Sequence, residues 1–331
     1  MFSKRSSIMN KEQFIGVLTS GGDASGMNAA IRAVTRSAIF NGFRVKGIYR
    51  GYEGLINGEV RELTTEDVSS IIQRGGTILK TARSPRFTTP EGRRQAWETI
   101  RQEEIGALVI IGGDGSFMGA RALANQGIPC VGIPGTIDND IACSEYTIGY
   151  DTAMNTAVEA IDKLRDTTQS HDRCSVVEVM GHHAGYIALN VGIATGALAV
   201  LLPERPFDFE RDILQRMRQT QVTGKKHFII IVSEGVTDAQ TLANQIQAAT
   251  GVDSRATVLG HIQRGGSPTV RDRVNASLMG YHAVDLLDKG IYNRVVALSG
   301  GKIVDYDVNV ALSMHKYLDP MEIEVAQAIS I

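Results

Sequence analysis

The sequence lacks a long hydrophobic run, which argues against a membrane-spanning protein. None of its apolar stretches approaches the roughly 20 residues that a helix needs to cross a bilayer. The opening residues, MFSKRSSIMN, also lack the apolar segment of a signal peptide. We therefore expect a cytoplasmic protein with no membrane partner. Residues 1–12 are interpreted as a flexible extension, with Met9 as an alternative start.

Cysteine is scarce, and charge of either sign is not in excess. The three cysteines, Cys130, Cys143 and Cys174, show no CxxC spacing, which indicates reduced thiols and argues against a zinc site. The formal net charge is −2, and no block of like charge is present. Nothing in the charge pattern therefore favours a nucleic-acid partner.

What the sequence does contain is an alternation of short apolar runs and amphipathic segments. The runs FIGVLTS, ALVIIGG, CVGI, SVVEVMG, HFIIIVSE and SRATVLG are typical of buried strands, and EGRRQAWETIRQEEIG and residues 151–167 have helical spacing. The chain of 331 residues is longer than one core usually serves. We predict an α/β fold of two domains, each a mostly parallel sheet with helices on both faces. Ligands of such folds bind beyond the carboxyl ends of the strands.

Two glycine-rich loops follow predicted strands and precede predicted helices. In TSGGDASGMN (19–28), Gly21 and Gly22 would let backbone N–H groups approach an anion, although a simple tight turn explains the loop equally well. In IGGDGS (111–116), Asp114 could hold a hard cation such as Mg²⁺. Ser116 is interpreted as the helix N-cap.

Two further loops carry polar side chains after strands. In PGTIDND (134–140), Asp138 could accept a proton from a substrate hydroxyl while Asp140 helps to hold a metal; the alternative is a turn in which these side chains bond their own backbone. In VLGHIQRGGSP (258–268), His261 and Arg264 suit a phosphate monoester, or are surface residues. Together the loops supply phosphate-binding glycines, metal-binding acids, a base and cations, which favours phosphoryl transfer to an alcohol.

The long motifs make the sequence recognisable. IGVLTSGGDASGMNAAIR, GGDGS, PGTIDNDI, VVEVMG and RATVLGHIQRGGSP resemble the bacterial ATP-dependent 6-phosphofructokinase family from about Gln13 to near the C-terminus. The resemblance implies phosphoryl transfer from MgATP to the 1-hydroxyl of fructose 6-phosphate, a committed step of glycolysis, by a homotetramer. It also implies a larger, ATP-binding domain of residues 13–150 plus 264–313 and a smaller, fructose 6-phosphate-binding domain of residues 151–263 plus 314–331.

The resemblance assigns a role to each motif position. Asp138 is expected to be the base, beside Thr136 and Arg83 at the transferring phosphoryl group. Asp114, with Asp140, is expected to serve Mg²⁺. The ATP-binding positions are Gly22, Arg83, Ser84, Gly113, Asp114, Gly115 and Ser116. The sugar-phosphate positions are Thr136, Asp138, Asp140, Met180, Gly181, His182, Glu234, His261 and Arg264, with Arg173 and Arg255 contributed by a neighbouring subunit.

Two glycines bear on the phosphoryl donor. Related pyrophosphate-dependent enzymes typically carry Asp at the position of Gly115 and Lys at that of Gly135. Glycine at 115 leaves room for the α-phosphate of ATP, so this chain resembles the ATP users.

The sequence departs from the family pattern at two places. His182 stands where the family usually has arginine, and a neutral imidazole is a weaker partner for developing negative charge. The family often binds ADP or phosphoenolpyruvate between subunits, and the matching basic positions are Arg32, Arg36, Arg165, Lys225 and Lys226. Leu198, Thr65 and Thr223 replace a glutamate, an arginine and a lysine of that site. We expect a weak or absent response to these effectors, and Arg32 and Arg36 could simply face solvent.

Other functions explain fewer motifs. A pyrophosphate-dependent phosphofructokinase or another GGDG-type small-molecule kinase is the main alternative. A nicotinamide dehydrogenase would need the dinucleotide fingerprint that GGDASG lacks. A non-catalytic sugar-phosphate sensor would need neither Asp138 nor Asp114.

Overall fold

The computed structural model describes residues 10–330. The expectation of a flexible N-terminal extension and of a start at Met9 therefore lies almost wholly outside the described residues. Across the described range, no helix is long and apolar enough to span a bilayer.

Strands and helices alternate along the chain. The strands are β1 (Phe14–Thr19), β2 (Arg44–Ile48), β3 (Val60–Leu63), β4 (Ile105–Gly112), β5 (Cys130–Pro134), β6 (Cys174–Val179), β7 (Ala199–Leu201), β8 (Phe228–Ser233), β9 (Ser254–Val258), β10 (Arg294–Ser299) and β11 (Lys302–Asp307). The α-helices are α1 (Met27–Phe40), α2 (Gly51–Asn57), α3 (Pro90–Gln102), α4 (Asp114–Ala124), α5 (Tyr150–Ser170), α6 (Tyr186–Thr195), α7 (Gln215–Gln221), α8 (Ala239–Thr250), α9 (Val270–Asp288), α10 (Val308–Ser313) and α11 (Pro320–Ala328). Short 3₁₀ helices lie at Pro85–Thr88 and Gly260–Arg264, and a π-helical turn at Glu210–Leu214.

The chain divides into two compact units. The first contains residues 10–136, Ile141–Asp151 and Arg264–Lys316. The second contains Ile137–Asp140, Thr152–Gln263 and residues 317–330. The short segment Ile137–Asp140 thus belongs to the second unit, although the strand that leads to it belongs to the first.

The first unit is built on a seven-stranded sheet with the order β11-β10-β5-β4-β1-β2-β3. The five central strands are parallel, whereas the edge strands β3 and β11 pair antiparallel with β2 and β10. Strand β4, IGALVIIG, is buried along nearly its whole length, as expected for a central parallel strand covered on both faces.

The second unit contains a four-stranded sheet with the order β7-β8-β6-β9, and all of its pairs are parallel. Its core combines the apolar residues of β6, β7 and β8 with those of α7 and α8. The prediction of α/β units with mostly parallel sheets flanked by helices is confirmed.

One predicted boundary is wrong. The helical pattern EGRRQAWETIRQEEIG was expected to continue to residue 106, but α3 ends at Gln102 and Ile105 begins β4. Glu104 has φ of 52°, which is left-handed and turns the chain out of the helix into the strand. The backbone amide of Phe14 donates to the Glu104 carbonyl at 3.0 Å, which places this turn against β1.

Candidate active site

The two glycine-rich loops of the first unit lie side by side, because β1 and β4 are neighbouring parallel strands. The amide of Ser20 donates to the Ile111 carbonyl at 2.9 Å, and the hydroxyl of Ser116 donates to the Ser20 carbonyl at 3.2 Å. A Cβ at Gly112 would come within 2.5 Å of that carbonyl oxygen, so only glycine allows this close approach. The two loops therefore meet at the carboxyl ends of β1 and β4.

The N-cap assignment of Ser116 is wrong. Helix α4 begins at Asp114, its N-cap is Gly113, and no side chain caps it. Ser116 is in the first turn of the helix and is 4% exposed, and its hydroxyl binds the neighbouring loop instead. Asp114 and Gly115 are exposed at the start of α4, where a carboxylate interacts favourably with the helix dipole.

Residues 81–84 lie close to the first glycine-rich loop. The hydroxyl of Thr81 donates to the Gly21 carbonyl at 2.7 Å. The hydroxyl of Ser84 donates to Glu53 Oε2 at 2.7 Å, and this hydrogen bond is the largest cause that lowers the pKa of Glu53. Arg83, between them, is exposed. Sequence reasoning missed Glu53, which holds Ser84 in place, because nothing in the local pattern links residues 31 positions apart.

Arg264 lies in the first unit, against the loop predicted to bind ATP. Its Nη1 donates to the Asp23 carbonyl at 3.2 Å. A Cβ at Gly22 would come within 2.1 Å of the same nitrogen. The 3₁₀ helix Gly260–Arg264 carries both His261, which is exposed, and Arg264, and the boundary between the two units falls just before Arg264.

The PGTIDND segment has an unusual backbone between its two acids. Asn139 has φ of 53°, a left-handed conformation that asparagine tolerates better than most residues. Asp138 is 9% exposed, whereas Asp140 is half-buried. At the preceding residues, the Gly135 amide donates to the Gly112 carbonyl at 3.0 Å, and the Thr136 carbonyl accepts from the Thr147 hydroxyl at 2.6 Å.

A second group of predicted residues lies at the carboxyl ends of β6 and β8 in the second unit. Glu234 Oε1 accepts hydrogen bonds from the amides of Gly181, at 3.3 Å, and His182, at 2.5 Å. The Met180 amide donates to Gln263 Oε1 at 2.8 Å. Sequence reasoning missed Gln263, although it lies inside the GHIQRGGSP motif.

The loop after β6 requires glycine at position 181. Its φ is 152°, and a Cβ there would come within 2.4 Å of the Ala184 carbonyl oxygen. His182, which follows, is exposed with a left-handed φ of 57°, and its ring centroid lies 4.0 Å from that of His183. Position 182, where the resemblance implies an arginine in the family, therefore carries an imidazole that lies beside the imidazole of His183.

Arg173 and Arg255 lie near the amino ends of strands β6 and β9 of the same sheet, opposite to the carboxyl ends that carry the Met180 loop. Arg173 directly precedes β6, and Arg255 is the second residue of β9 and pairs with Ser175 of β6. Along the strand direction they are therefore seven and five residues from Met180, which at about 3.3 Å per residue is roughly 23 Å and 17 Å. Both guanidinium groups bind the carboxylate of Asp253, with Nε–O distances of 2.6 Å for Arg173 and 3.0 Å for Arg255. Sequence reasoning missed Asp253, which is only two residues before Arg255.

The predicted effector residues are distributed over both units. Arg32 and Arg36 lie on α1 of the first unit, and burial, followed by the charge of Arg36, lowers the pKa of Arg32. In the second unit, Arg165 donates to the Thr195 carbonyl, and burial, followed by the charge of Arg165, lowers the pKa of Lys225.

The remaining effector positions differ in exposure. Lys226, Thr65 and Thr223 are exposed. Leu198 is 2% exposed and belongs to the apolar core of the second unit. Its side chain is therefore a packing residue in this chain.

The donor set suits a magnesium ion that is held partly by substrate. Within residues 10–330, no group of three or more His, Cys, Asp or Glu side chains forms a metal cage. Mg²⁺ in phosphoryl-transfer sites needs none, because one or two carboxylates and the substrate phosphates supply its oxygen ligands. The exposed carboxylate of Asp114, flanked by Gly113 and Gly115, fits that requirement.

The fold and these loops define a phosphotransferase that acts on small molecules. The chain belongs to the phosphofructokinase family: the family model described as Phosphofructokinase matches residues 14–287. The family predicted from the motifs is confirmed.

Two curated relatives of the chain come from bacteria. The chain is 52% identical over 316 residues, covering 96% of itself and 99% of the relative, to a Clostridium botulinum (strain Hall) protein named ATP-dependent 6-phosphofructokinase. A Bacillus mycoides (strain KBAB4) protein of the same name is 52% identical over 317 residues, with the same two coverages.

Solved structures of similar fold come from yeasts and bacteria. Phosphofructokinase from Saccharomyces cerevisiae matches with a TM-score of 0.83 and 35% identity, and that from Pichia pastoris in the T-state with 0.86 and 35%. The match covers 96% of this chain but only 46% and 36% of those longer chains. A pyrophosphate-dependent phosphofructokinase from Marinobacter aquaeolei, at 24% identity and a TM-score of 0.82, shares the fold.

Proposed function

We propose that the chain transfers the γ-phosphoryl group of ATP to the 1-hydroxyl of fructose 6-phosphate, giving fructose 1,6-bisphosphate and ADP. The observation that carries this function is 52% identity, over nearly the whole of both chains, to proteins named ATP-dependent 6-phosphofructokinase. The glycolytic step and the phosphotransferase class follow from the same relatives. The cytoplasmic location and the homotetramer remain predictions.

Asp138 is the proposed base that takes the proton of the 1-hydroxyl. Its carboxylate is nearly buried, and the next residue, Asn139, has a left-handed backbone. General base catalysis by a positioned side chain contributes about 10²–10⁴ in rate. Thr136 and Arg83 are proposed to contact the transferring phosphoryl group.

The nucleotide is proposed to bind at the edge of the first sheet, where the two glycine-rich loops meet. The proposed ATP-binding residues are Gly22, Arg83, Ser84, Gly113, Gly115 and Ser116. Asp114, with Asp140, would hold Mg²⁺, which when bound neutralises phosphate charge. A helix start with exposed amides favours phosphate binding.

The donor is proposed to be ATP rather than pyrophosphate. A Cβ at Gly115 would meet no atom within 4 Å, so the position opens onto free space beside Asp114. At Gly135, by contrast, a Cβ would come within 3.0 Å of the Ile111 side chain, which leaves little room for the lysine of pyrophosphate users.

Fructose 6-phosphate is proposed to bind at the carboxyl ends of β6 and β8. One oxygen of Glu234 organises the loop amides, and its second oxygen can accept sugar hydroxyls. Met180, Gly181, His182 and His261 are the other proposed sugar-phosphate residues of the second unit, and Arg264 of the first unit is proposed to bind the phosphate.

Arg173 and Arg255 are proposed to serve the site of a neighbouring subunit. They lie near the amino ends of β6 and β9, whereas the Met180 loop and Glu234 follow the carboxyl ends of β6 and β8. The two arginines therefore cannot bind the same sugar phosphate as Glu234 of their own chain. Each sugar-phosphate site would then be completed across a subunit interface, and a forced monomer should be nearly inactive.

ADP and phosphoenolpyruvate are proposed to have weak effects or none, because Leu198 is a core residue that offers no metal ligand.

A coupled assay tests the function. Purified protein with fructose 6-phosphate should turn over with ATP in a Mg²⁺-dependent manner and should show no turnover with pyrophosphate. Turnover with pyrophosphate but not with ATP would show that the chain is a pyrophosphate-dependent phosphofructokinase instead.

A further inference from the structure

A cavity in the second unit lies outside every predicted site. It has a volume of about 230 Å³ and is bounded by α6, by β7 and the residues that follow it, by the π-helical turn with α7, and by α11. None of the residues assigned to ATP, fructose 6-phosphate or effectors lines it. The family reaction therefore gives this cavity no role.

The charged residues that line the cavity are mostly positive. They are Arg205, Arg211 and Arg216 with one acid, Asp212, so the lining side chains carry a formal excess of two positive charges. Arginine stays protonated at all physiological pH values, so this excess is permanent.

The three guanidinium groups differ in their partners. Arg211 binds Asp212 through Nε at 2.7 Å and Nη2 at 2.8 Å, which accounts for the single acid. Among residues 10–330, Arg216 donates to neutral acceptors, the Gln327 carbonyl at 2.8 Å and the Ser330 hydroxyl at 2.6 Å. Burial lowers the pKa of Arg216, as expected for a cation without a carboxylate in direct contact.

Arg205 is the most available of the three. Its side chain is exposed and makes no hydrogen bond or ion pair with any other residue of the range 10–330. Its backbone is fixed, because its amide donates to the Leu202 carbonyl at 3.3 Å. A guanidinium in this setting can bind an oxyanion through two parallel hydrogen bonds without breaking an existing contact.

The cavity also has an apolar lining. Leu189 of α6 and Leu201 of β7 are buried, and Phe207, Ile323 and Ala326 also line the cavity. A ligand that fills the cavity should therefore combine an anionic head with a small apolar or ring-shaped body. The volume is below the roughly 300–1,000 Å³ of pockets for drug-sized molecules, which limits that body to no more than one small ring.

We propose that this cavity binds a small organic phosphate monoester, with its phosphate between Arg205 and Arg216 and its carbon body against Leu201 and Phe207. A phosphate monoester carries a charge of about −1.5 to −2 at neutral pH, which matches the formal excess of two positive charges. A monocarboxylate would neutralise only one of them. The site is separate from the proposed reaction and does not depend on it.

Phenyl phosphate is the probe, since it has the required head and a compact ring. Isothermal titration of the full-length protein, with fructose 6-phosphate present at saturation to occupy its own site, compares wild type with Arg205→Gln. Arg218→Gln is the matched control, because Arg218 is also an exposed arginine and shares α7 with Arg216, but it pairs with Glu210 and does not line the cavity.

We expect wild type and Arg218→Gln to bind phenyl phosphate with equal affinity and Arg205→Gln to bind it at least tenfold more weakly. Benzoate, the carboxylate analogue, should bind wild type at least fivefold more weakly than phenyl phosphate. Ala326→Leu adds volume to the apolar lining of the cavity without removing any charge. This variant should also abolish binding of phenyl phosphate.

Equal binding of phenyl phosphate by wild type and Arg205→Gln would overturn the proposal, as would loss of binding in Arg218→Gln alone. Turnover of wild type and of the three variants with ATP and fructose 6-phosphate reports on the proposed reaction independently. Absence of turnover in wild type would refute the function and leave the binding result standing.

Discussion

Replacing Gly115 by aspartate tests the donor assignment without disturbing the fold. Gly115 is the second residue of α4, and an added Cβ there would meet nothing within 4 Å. Replacing a helical glycine by alanine gains about 0.5–1 kcal/mol, and aspartate, a poorer helix former, recovers a smaller part of that. An acid in the first turn adds about 0.3–1 kcal/mol through the helix dipole. The thermal unfolding midpoint of the variant should therefore stay level or rise.

The same substitution should weaken the binding of ATP. Two unit charges about 5 Å apart repel by about 3 kcal/mol at an effective dielectric constant of 20, and by about 1 kcal/mol in bulk water. Because Gly115 is exposed, the penalty should fall between these limits, which corresponds to a 4-fold to 200-fold rise in the KM for ATP.

Two uncharged variants separate charge from volume. Gly115→Asn has nearly the same size as Gly115→Asp, and Gly115→Ala adds only a methyl group. Steady-state assays with fructose 6-phosphate at saturation should show the order Gly, Ala, Asn, Asp for increasing KM, with the largest step between Asn and Asp. An aspartate variant that keeps the wild-type KM for ATP, at an unchanged unfolding midpoint, would refute the placement of the nucleotide beside α4.

Further predictions concern the second unit. Glu234→Ala removes the acceptor of two loop amides, and charge-assisted hydrogen bonds contribute about 1.5–3 kcal/mol. The KM for fructose 6-phosphate should therefore rise about 10-fold to 100-fold while the KM for ATP changes less than threefold; an equal rise in both would contradict the assignment. Asp253→Asn releases Arg173 and Arg255 from their shared carboxylate, so the KM for fructose 6-phosphate should rise several-fold with little change in kcat; an unchanged KM would show that neither arginine reaches a substrate. Burial, then the charges of Lys225 and Arg165, lowers the pKa of His227 below its usual 6.5. The unfolded state therefore binds this proton more readily, so stability should fall as the pH drops below 6.5. His227→Gln should flatten that fall in melting curves between pH 7 and pH 5, and identical curves would contradict it. ADP at low fructose 6-phosphate should not activate the enzyme, and strong activation would show that the effector site works without an acid at position 198.

The central sheet strands could be predicted from the sequence because they are continuous apolar runs. Strand β4 is an example, with eight residues that are nearly all buried. The edge strands β3 and β11 could not be found in this way. VREL and KIVDYD are partly exposed and polar, so they lack a continuous apolar run. Each forms a strand because it pairs antiparallel with the strand that precedes it in the chain. Edge strands carry the weaker signal in general, since only part of their surface is buried.

The site residues could be predicted as far as their motifs extend. The adjacency of the two glycine-rich loops follows from the parallel pairing of β1 and β4. The partners that fix the predicted residues could not be predicted, because they come from other elements. Glu53 holds Ser84, and Gln263 accepts from the Met180 amide, through contacts that only the folded chain creates.

Ser116 shows the opposite failure, in which a sound local rule is overridden. Serine close to the start of a helix is usually an N-cap. Here Gly112 allows Ser20 to approach so closely that the Ser116 hydroxyl binds the Ser20 carbonyl, and α4 begins two residues earlier. A tertiary contact has replaced the local one.

The most direct test of the proposed mechanism is a single-turnover measurement on Asp138→Asn. Phosphorus NMR would follow transfer from Mg²⁺-ATP to the 1-position of fructose 6-phosphate, and titration would give the affinity for the sugar phosphate. Asp138 acting as the base predicts that transfer slows by about 10²–10⁴ while that affinity changes less than threefold. Transfer in the variant within tenfold of the wild-type rate would contradict the account.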